Sequence, residues 1–150
     1  MAKAGRDYAI ETESDRTKAI GLSKLKSLAA IDLQKAIRME HADGRGMCTC
    51  VTCGAVVHWK EIHAGHFISG RSNAILFDER NIHPQCNRCN TYLGGNQECY
   101  APWMVDRYGQ AVVDELRQLR GTVKTIYRSE ILAMREQYRA RIAAQRERLA

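Results

Sequence analysis

The chain has 150 residues, of which 45% are hydrophobic and 7% aromatic, and it carries a net charge of +6 at pH 7. This length fits one domain with helical extensions, and the low aromatic content predicts a small core that a bound metal would stabilise. The first residues lack an apolar signal sequence, and no uncharged apolar run approaches the ~18 residues of a membrane helix. We therefore expect a cytoplasmic protein without membrane association, whose six cysteines are metal ligands or free thiols rather than disulfides.

The positive charge is concentrated near the C-terminus. Residues 116–150 contain nine Arg or Lys and three acidic residues, whereas residues 1–115 contain 14 residues of each sign. A basic segment of this kind indicates nucleic acid as a partner. Binding through phosphates would depend strongly on salt and little on sequence.

The chain divides into four regions. Residues 1–13 have mixed charge and no period, and we predict that they are poorly ordered. Residues 14–46 form an N-terminal helical region, in which apolar spacing predicts a helix from Ser14 to about His41 with a weak point at Gly21. Residues 47–109 contain the cysteine pairs, and residues 110–150 form a basic C-terminal helical region.

The middle region predicts short elements around a metal site. A tight turn is expected over residues 47–54, because closely spaced thiolates must face one ion and Gly54 permits the turn. The helix after Pro84 should stop at the glycines of residues 94–95. The predicted elements are strands over residues 55–59 and 61–68, an apolar segment over 75–77, and short helices over about 86–93 and 103–108.

From Gln110 to Ile142 apolar residues recur every three or four positions, with a weak point at Gly121. A long basic amphipathic helix is either solvated or dimer-forming, or it lies along phosphates. Both interpretations stay open, and we expect a homodimer through the long helices. The candidate DNA-binding residues are Arg71, Arg88, Arg117, Arg120, Lys124, Arg128, Arg135 and Arg139.

Two C-x2-C pairs are the strongest motif in the sequence. Their spacing is typical of a tetrahedral structural zinc site, in which four protein ligands leave no open position for catalysis. We interpret Cys48 as a bystander thiol and Cys99 as an ordinary buried thiol. The predicted ligands of the structural Zn2+ are Cys50, Cys53, Cys86 and Cys89.

Side chains suited to acid–base chemistry lie between and beside the two pairs. A neutral imidazole is a good general base near pH 7, and a divalent cation beside it could stabilise charge that develops on a phosphate. Asn90 directly follows Cys89, so a zinc site would hold its side chain in place. Each residue alone is more often structural than catalytic, and only the combination points to catalysis: His63, His66, His83, Asn81, Asn90 and Asn96.

These residues resemble a known nuclease motif. His66, Asn81 and Asn90 around the thiolate pairs look like the His-Asn-His (HNH, or His-Me finger) motif in its His-Asn-Asn form. The run C-N-R-C-N is similar to the same element in phage endonuclease VII, a resolvase of branched DNA. The wider run A-G-H-F … F-D-E-R-N-I-H-P-Q-C-N-R-C-N … G-G-N, with Tyr100 and R-Y-G at residues 107–109, resembles the lambdoid phage NinG/Rap recombination family over about residues 33–120.

The resemblance implies an α+β fold: a small ββα-metal (HNH) module on a treble-clef zinc site, flanked by N- and C-terminal α-helices. It implies a metal-dependent, structure-selective endonuclease that cuts branched recombination intermediates such as Holliday junctions and D-loops in the host cytoplasm, with recombination proteins as possible partners. His66 would activate water for attack on a phosphodiester, Asn90 would bind Mg2+ or Mn2+, and Asn81 would tie the loop that orients His66.

One position departs from the motif. Many HNH enzymes carry an Asp immediately before the base, where this chain has Gly65. His63 could reach the ion if the strand is bulged at Gly65, and Asn96 or Asp78 are alternatives. Imidazole is a poorer ligand for Mg2+ than carboxylate, which would favour Mn2+. The second protein ligand of the catalytic metal stays open.

The main alternative is a non-catalytic zinc-finger protein that binds DNA or a recombination partner. Such a binder has no need of an imidazole base beside an amide anchored to the zinc site, so His66 together with Asn90 favours the enzyme. A redox dithiol protein is less favoured, because two C-x2-C pairs at this spacing more readily share one metal.

Overall fold

The structure, a computed structural model, describes residues 20–150 and has the expected α+β composition. The predictions for residues 1–13 and for Ser14 lie outside the described residues. No helix in the described part is long and apolar enough to cross a membrane. The elements are α1 (Leu22–Glu40), β1 (Met47–Thr49), β2 (Val56–His58), β3 (His63–His66), α2 (Asn73–Leu76), β4 (Ile82–Gln85), α3 (Gln97–Tyr108), α4 (Gln110–Leu119) and α5 (Arg128–Arg148).

The strands form two separate antiparallel pairs. β1 pairs with β2, and β3 pairs with β4, so that His63 lies opposite Gln85 and His66 opposite Ile82. The two predicted strands are present but shorter, and their partners β1 and β4 were not predicted. All four residues of β4 are buried and one is Pro84, so this strand shows neither the alternation nor the composition that identifies a strand in sequence.

A π-helical turn, Arg88–Tyr92, follows β4, and residues 93–95 form the turn after it, as the two glycines there predicted. Gly94 and Gly95 both take positive φ there, which glycine adopts without strain. The order strand, strand, helical turn places the second cysteine pair directly after the hairpin of β3 and β4.

Helix α1 packs along α5. Leu25 and Ala29 contact Ile131 at one end of the pair, and Leu33 contacts Tyr138 near the middle. Leu33 also joins a cluster with Ile82 of β4, so this helix pair covers the strands that carry the candidate site. The apolar face that the three-four spacing predicted for α1 is therefore the face that is buried.

Polar contacts from the arginines of α5 also hold this helix pair together. The guanidinium groups bind carboxylates and the carbonyls at the end of α1, where cations are favoured. Arg135, one of the predicted DNA-binding residues, is only 9% exposed. The contacts are Arg135 to Asp32 at 2.8 Å, Arg141 to Glu40 and Glu79 at 2.7 Å, and Arg148 to the carbonyls of Met39 at 2.7 Å and Ala42 at 2.9 Å.

The C-terminal region contains two helices separated by a linker. α4 ends at Leu119, and the helix predicted through Val123 and Ile126 is wrong, since residues 122–127 lack regular structure and Val123 is 95% exposed. Gly121 and the β-branched residues that follow it are poor helix formers. Side chains at the start of α2 bind linker carbonyls instead: Ser72 Oγ donates to Thr122 O at 3.3 Å, and Asn73 Nδ2 donates to Lys124 O at 2.8 Å.

Helix α3 begins six residues earlier than predicted, at Gln97 rather than Trp103. Pro102 lies inside this helix, where it removes a backbone hydrogen bond. Full burial of Tyr100 and Met104 stabilises the helix despite that loss. The core beneath β3 consists of these two residues with Phe67, Val113 and Leu116.

Leu33 is fully buried, whereas Ile31 on the same helix is 58% exposed. Leu33→Ala should lower the free energy of unfolding by about 2–5 kcal/mol, because it leaves a cavity between α1, α5 and β4. Ile31→Ala, the matched control, should change it by less than about 1 kcal/mol. Urea denaturation measures both, and equal losses would contradict the described packing of α1.

Candidate metal centre and active site

The structure brings four thiols together beside the strand pairs. The Sγ atoms of Cys50, Cys53, Cys86 and Cys89 all lie within 4.8 Å of one another, and those of Cys53 and Cys86 are 3.6 Å apart. Sulfurs around a tetrahedral zinc with Zn–S bonds of about 2.3 Å would be separated by about 3.8 Å. The spacing and the donor set therefore fit a metal such as zinc with four protein ligands.

Local hydrogen bonds shape the cluster. Gly54 N donates to Cys50 O at 2.9 Å and closes the turn at a φ of 76°. The Thr52 hydroxyl lies 3.2 Å from Cys50 Sγ, and Asn96 Nδ2 donates to Cys89 Sγ at 3.4 Å. Burial raises the pKa of Cys50, but hydrogen bonds from Thr52 and from backbone amides outweigh it and lower the pKa to about 6. The pKa of Cys89 is lowered as well, so these contacts favour the thiolate of Cys50 and of Cys89, the form that binds metal.

The other two cysteines lie outside the cluster. Cys48 is buried beside Ala42 and Ile62, and burial raises its pKa to about 11. The prediction that Cys99 is buried is wrong, since it is exposed on α3. Tyr100 is fully buried and lies on the inward face of α3, so Cys99 before it points to solvent.

The cysteine cluster positions Asn90 beside His63. Asn90 follows Cys89 in the π-helical turn, and its Nδ2 lies 2.9 Å from His63 Nδ1. The two other suggested metal ligands are engaged elsewhere: Asn96 contacts Cys89, and Asp78 binds Arg80 at 2.7 Å. His63 is therefore the suggested second ligand that the fold places within hydrogen-bond distance of the Asn90 amide.

His66 lies at the end of β3 in the wall of a cleft of about 360 Å³ that Asn90 also lines. Burial lowers the pKa of His66 below its usual value, and a hydrogen bond with the Leu76 backbone offsets this only in part. Its Nε2 is buried and has no hydrogen-bond partner among the described residues. The imidazole is therefore neutral at pH 7, and Nε2 is the nitrogen left to accept a proton.

Asn81 holds the loop that follows His66. Its side chain is fully buried and makes two hydrogen bonds to Ile68: Oδ1 accepts from the Ile68 N–H at 2.7 Å, and Nδ2 donates to the Ile68 carbonyl at 3.0 Å. The N–H of Phe67 donates to the Asn81 carbonyl at 2.8 Å. These three bonds fix the two residues after His66 against the start of β4.

A buried hydrogen-bond chain that the sequence patterns did not predict ends on Gly65. Tyr100 Oη donates to the Gly65 carbonyl at 3.0 Å, His83 Nδ1 lies 2.9 Å from Tyr100 Oη, and His83 Nε2 lies 2.8 Å from Tyr108 Oη. Since Tyr100 gives its proton to Gly65, it accepts from His83 Nδ1, and Tyr108 donates to Nε2. Burial lowers the pKa of His83 to about 3, so this imidazole is neutral.

Gln85 gives a steric reason for Gly65. Gln85 is fully buried, and its Nε2 donates to Gly95 O at 2.8 Å and to Thr52 Oγ1 at 3.3 Å. Its Oε1 has no hydrogen-bond partner among the described residues and lies where any Cβ on residue 65 would be. An Asp before His66 therefore cannot be accommodated while Gln85 keeps this position.

The predicted DNA-binding residues are dispersed. Arg71, Arg88, Arg120 and Lys124 are exposed, whereas Arg117 stacks over Phe67 and lies 3.6 Å from Asp114. Two others contact the N-terminal half: Arg128 donates to Ile20 O at 2.7 Å, and Arg139 lies 3.8 Å from Asp32. The structure thus divides the predicted set into available cations and cations engaged within the fold.

The fold and the thiol cluster define a small α+β domain with a candidate metal centre next to a cleft lined by His66 and Asn90. The chain belongs to the family described as Bacteriophage Lambda NinG protein, whose sequence profile matches residues 2–147. This confirms the predicted NinG membership. No solved structure gives a significant match.

Curated relatives match a shorter segment. Over 68 residues the chain is 38% identical to Protein ninG of Escherichia phage 933W and of Salmonella phage P22, and 37% identical to Protein ninG of Escherichia phage lambda. Each match covers 45% of this chain and 33% of the relative. The matched segment thus spans a third of the length of these relatives.

Loss of one cluster thiol should release the metal. Cys86→Ser removes a ligand, whereas Cys99→Ser changes an exposed thiol and serves as the matched control. We expect the wild type and Cys99→Ser to retain stoichiometric zinc, and Cys86→Ser to lose zinc and the folding free energy linked to it. Elemental analysis with circular dichroism measures both, and full zinc retention by Cys86→Ser would contradict the assignment.

Acid should destabilise the fold partly through His83. Its pKa is about 3 in the folded chain, against an ordinary histidine value of 6.5, so below about pH 6.5 the unfolded chain binds a proton that the folded chain does not. Between pH 7.5 and 5 this lowers the free energy of unfolding by about 2 kcal/mol.

His83→Gln removes that titration, so its stability should depend less on pH than that of the wild type. Urea denaturation at saturating zinc measures the difference. A gap between wild type and variant that stays constant from pH 7.5 to 5 would rule out this role for His83.

Proposed function

We propose that the protein is a metal-dependent, structure-selective endonuclease that hydrolyses phosphodiester bonds in branched DNA during phage recombination. The main observation that supports this proposal is that His66 and Asn90 line one cleft and that Asn90 directly follows Cys89 of the thiol cluster. The order β3, β4 and helical turn supports an HNH (ββα-metal) module on a treble-clef zinc centre. Holliday junctions and D-loops are the proposed substrates.

His66 supplies the general base. Its neutral Nε2 takes a proton from water as the water oxygen attacks phosphorus, and the bond from phosphorus to the leaving oxygen breaks. The leaving oxygen takes a proton from solvent, and His66 returns its own proton to solvent. Because Nε2 is buried in this conformation, substrate binding must shift the imidazole or the cleft wall around it.

The backbone on both sides of His66 is held. Asn81 fixes the residues after it, and the chain from Tyr108 through His83 and Tyr100 fixes Gly65 before it. These are positioning residues, since they act through the backbone of the base. A base held in this way keeps its proton-accepting nitrogen in one orientation.

Asn90 and His63 are the protein donors available for a catalytic divalent cation. Among the described residues, the one group of three or more His, Cys, Asp or Glu side chains suited to a metal is the cysteine cluster, so no such carboxylate-containing group surrounds Asn90. A bound Mg2+ or Mn2+ would neutralise charge developing on the phosphate. An amide oxygen and an imidazole form an incomplete site, which favours Mn2+ and requires ligands from phosphate and water.

A zinc-held DNA-binding adaptor without catalysis is the second candidate. The buried Nε2 of His66 and the incomplete donor set around Asn90 favour it. Under either function, we also propose that the protein forms a homodimer and binds recombination proteins. The apolar face of α5 packs on α1 of the same chain, so a dimer would use other surfaces of these helices.

A labelled four-way junction and a linear duplex of the same sequence, each tested in Mg2+ and Mn2+, separate the two functions. We expect the wild type and the control His41→Ala to cut the junction preferentially. His66→Ala should cut about 10²–10⁴-fold more slowly with unchanged junction binding, because it lacks the base. The wild-type rate should fall as pH drops through the pKa of His66, below 6.5, where the base becomes protonated.

Asn90→Asp tests the metal ligand, because a carboxylate in place of the amide should raise activity in Mg2+ relative to Mn2+. Tight junction binding by the wild type without cutting in either ion would instead support the adaptor.

A further inference from the structure

A basic surface continues from the cleft at His66. Next to that cleft lies a second depression, lined by His66, Ser69 and Gly94 together with Arg120. Arg120 also lines an adjoining groove of about 370 Å³ between α1, the loop before α2 and the linker. We call this the basic groove and define it by four cations: Lys26, Arg71, Arg120 and Lys124.

The four cations of the basic groove form no ion pair within residues 20–150. Lys26 Nζ donates to the Arg71 carbonyl at 2.7 Å. Burial, and then the charge of Arg71, lower the pKa of Lys26. Like charges held close to one another repel, and a bound anion would relieve that repulsion.

The two sides of the groove are fixed to each other. Ser72 and Asn73 on one side bind the carbonyls of Thr122 and Lys124 on the other. Arg71 Nη2 also donates to Ser27 Oγ at 3.0 Å, which ties the loop to α1. Hydrogen bonds therefore hold the segments that carry these cations in fixed positions relative to one another.

We propose that the basic groove binds the sugar–phosphate backbone of one single strand of DNA that continues beyond the phosphate at His66. Four cations line this open groove, and a positively charged groove of this kind can follow the phosphates of a single strand. The inference deepens the proposed function, since it names the single-stranded arm of the substrate. The binding itself requires no catalysis.

Fluorescence anisotropy without Mg2+ or Mn2+ tests the groove on the zinc-bound full chain. The probes are a blunt duplex and the same duplex with a single-stranded DNA tail of about ten nucleotides at either the 3′ or the 5′ end. The wild type should bind one tailed duplex more tightly than the blunt one. Arg71→Gln/Lys124→Gln should lose that gain and reduce the slope of log affinity against log salt by about 1.4.

Lys60→Gln/Arg146→Gln is the matched control, since it removes the same charge from exposed residues outside the groove. It should keep the gain from the tail. Equal losses in both double variants, or no gain from either tail in the wild type, would overturn the proposal. Cleavage is measured separately. A wild type that binds tails but cuts no junction would support the proposal for the groove and contradict the proposed nuclease. A wild type that cuts junctions but gains no affinity from a tail would contradict only the proposal for the groove.

Discussion

The cysteine cluster is the point at which the two strand pairs of this small domain meet. Cys50 and Cys53 lie in the turn after β1, and Cys86 and Cys89 follow β4, so one ion bound by all four sulfurs would fix both segments. A backbone hydrogen bond of 3.0 Å from Val51 N to Pro84 O joins the same segments without metal. Because a metal of this kind would bind the folded chain more tightly than the unfolded chain, its binding would add to the free energy of unfolding. Asn90 directly follows Cys89, so the constraint on the cluster also sets the position of Asn90 at the cleft.

Around His66, buried polar groups replace the aliphatic packing that a larger core would supply. The side chain of Gln85 spans from the turn at Thr52 to the carbonyl of Gly95, and its Oε1 rests against Gly65. An amide oxygen buried without a hydrogen bond costs about 1–3 kcal/mol. Gly65 thus leaves room for the side chain of Gln85, which contacts Thr52 in the turn between Cys50 and Cys53. Gly65, where many HNH enzymes carry an Asp, and Gln85 of β4 therefore depend on each other, because a side chain at residue 65 would collide with Gln85.

The sequence predicted the features that depend on local spacing and did not predict those that depend on distant contacts. The cysteine pairs and the buried face of α1 follow from intervals of three or four residues, and both are present. β4 was missed because it is buried on both faces. The contacts of His83 with Tyr100 and Tyr108 span 17 and 25 residues, and no periodic pattern relates these positions. Gly121 marked a weak point correctly, but the length of the linker depends on side chains that bind its carbonyls.

The charge pattern shows why total charge is a poor guide to a binding surface. The C-terminal segment holds the whole basic excess of the chain, yet Arg135, Arg141 and Arg148 are engaged with α1. Those contacts replace repulsion within a basic helix by attraction between helices, and they remove the same groups from the surface available to phosphates. Two exposed cations of this segment, Arg120 and Lys124, lie where the helix is interrupted. An interruption at Gly121 therefore separates two uses of one basic segment: the helix beyond it stabilises the fold, and the linker places Arg120 and Lys124 on the side of the molecule where the cleft at His66 opens.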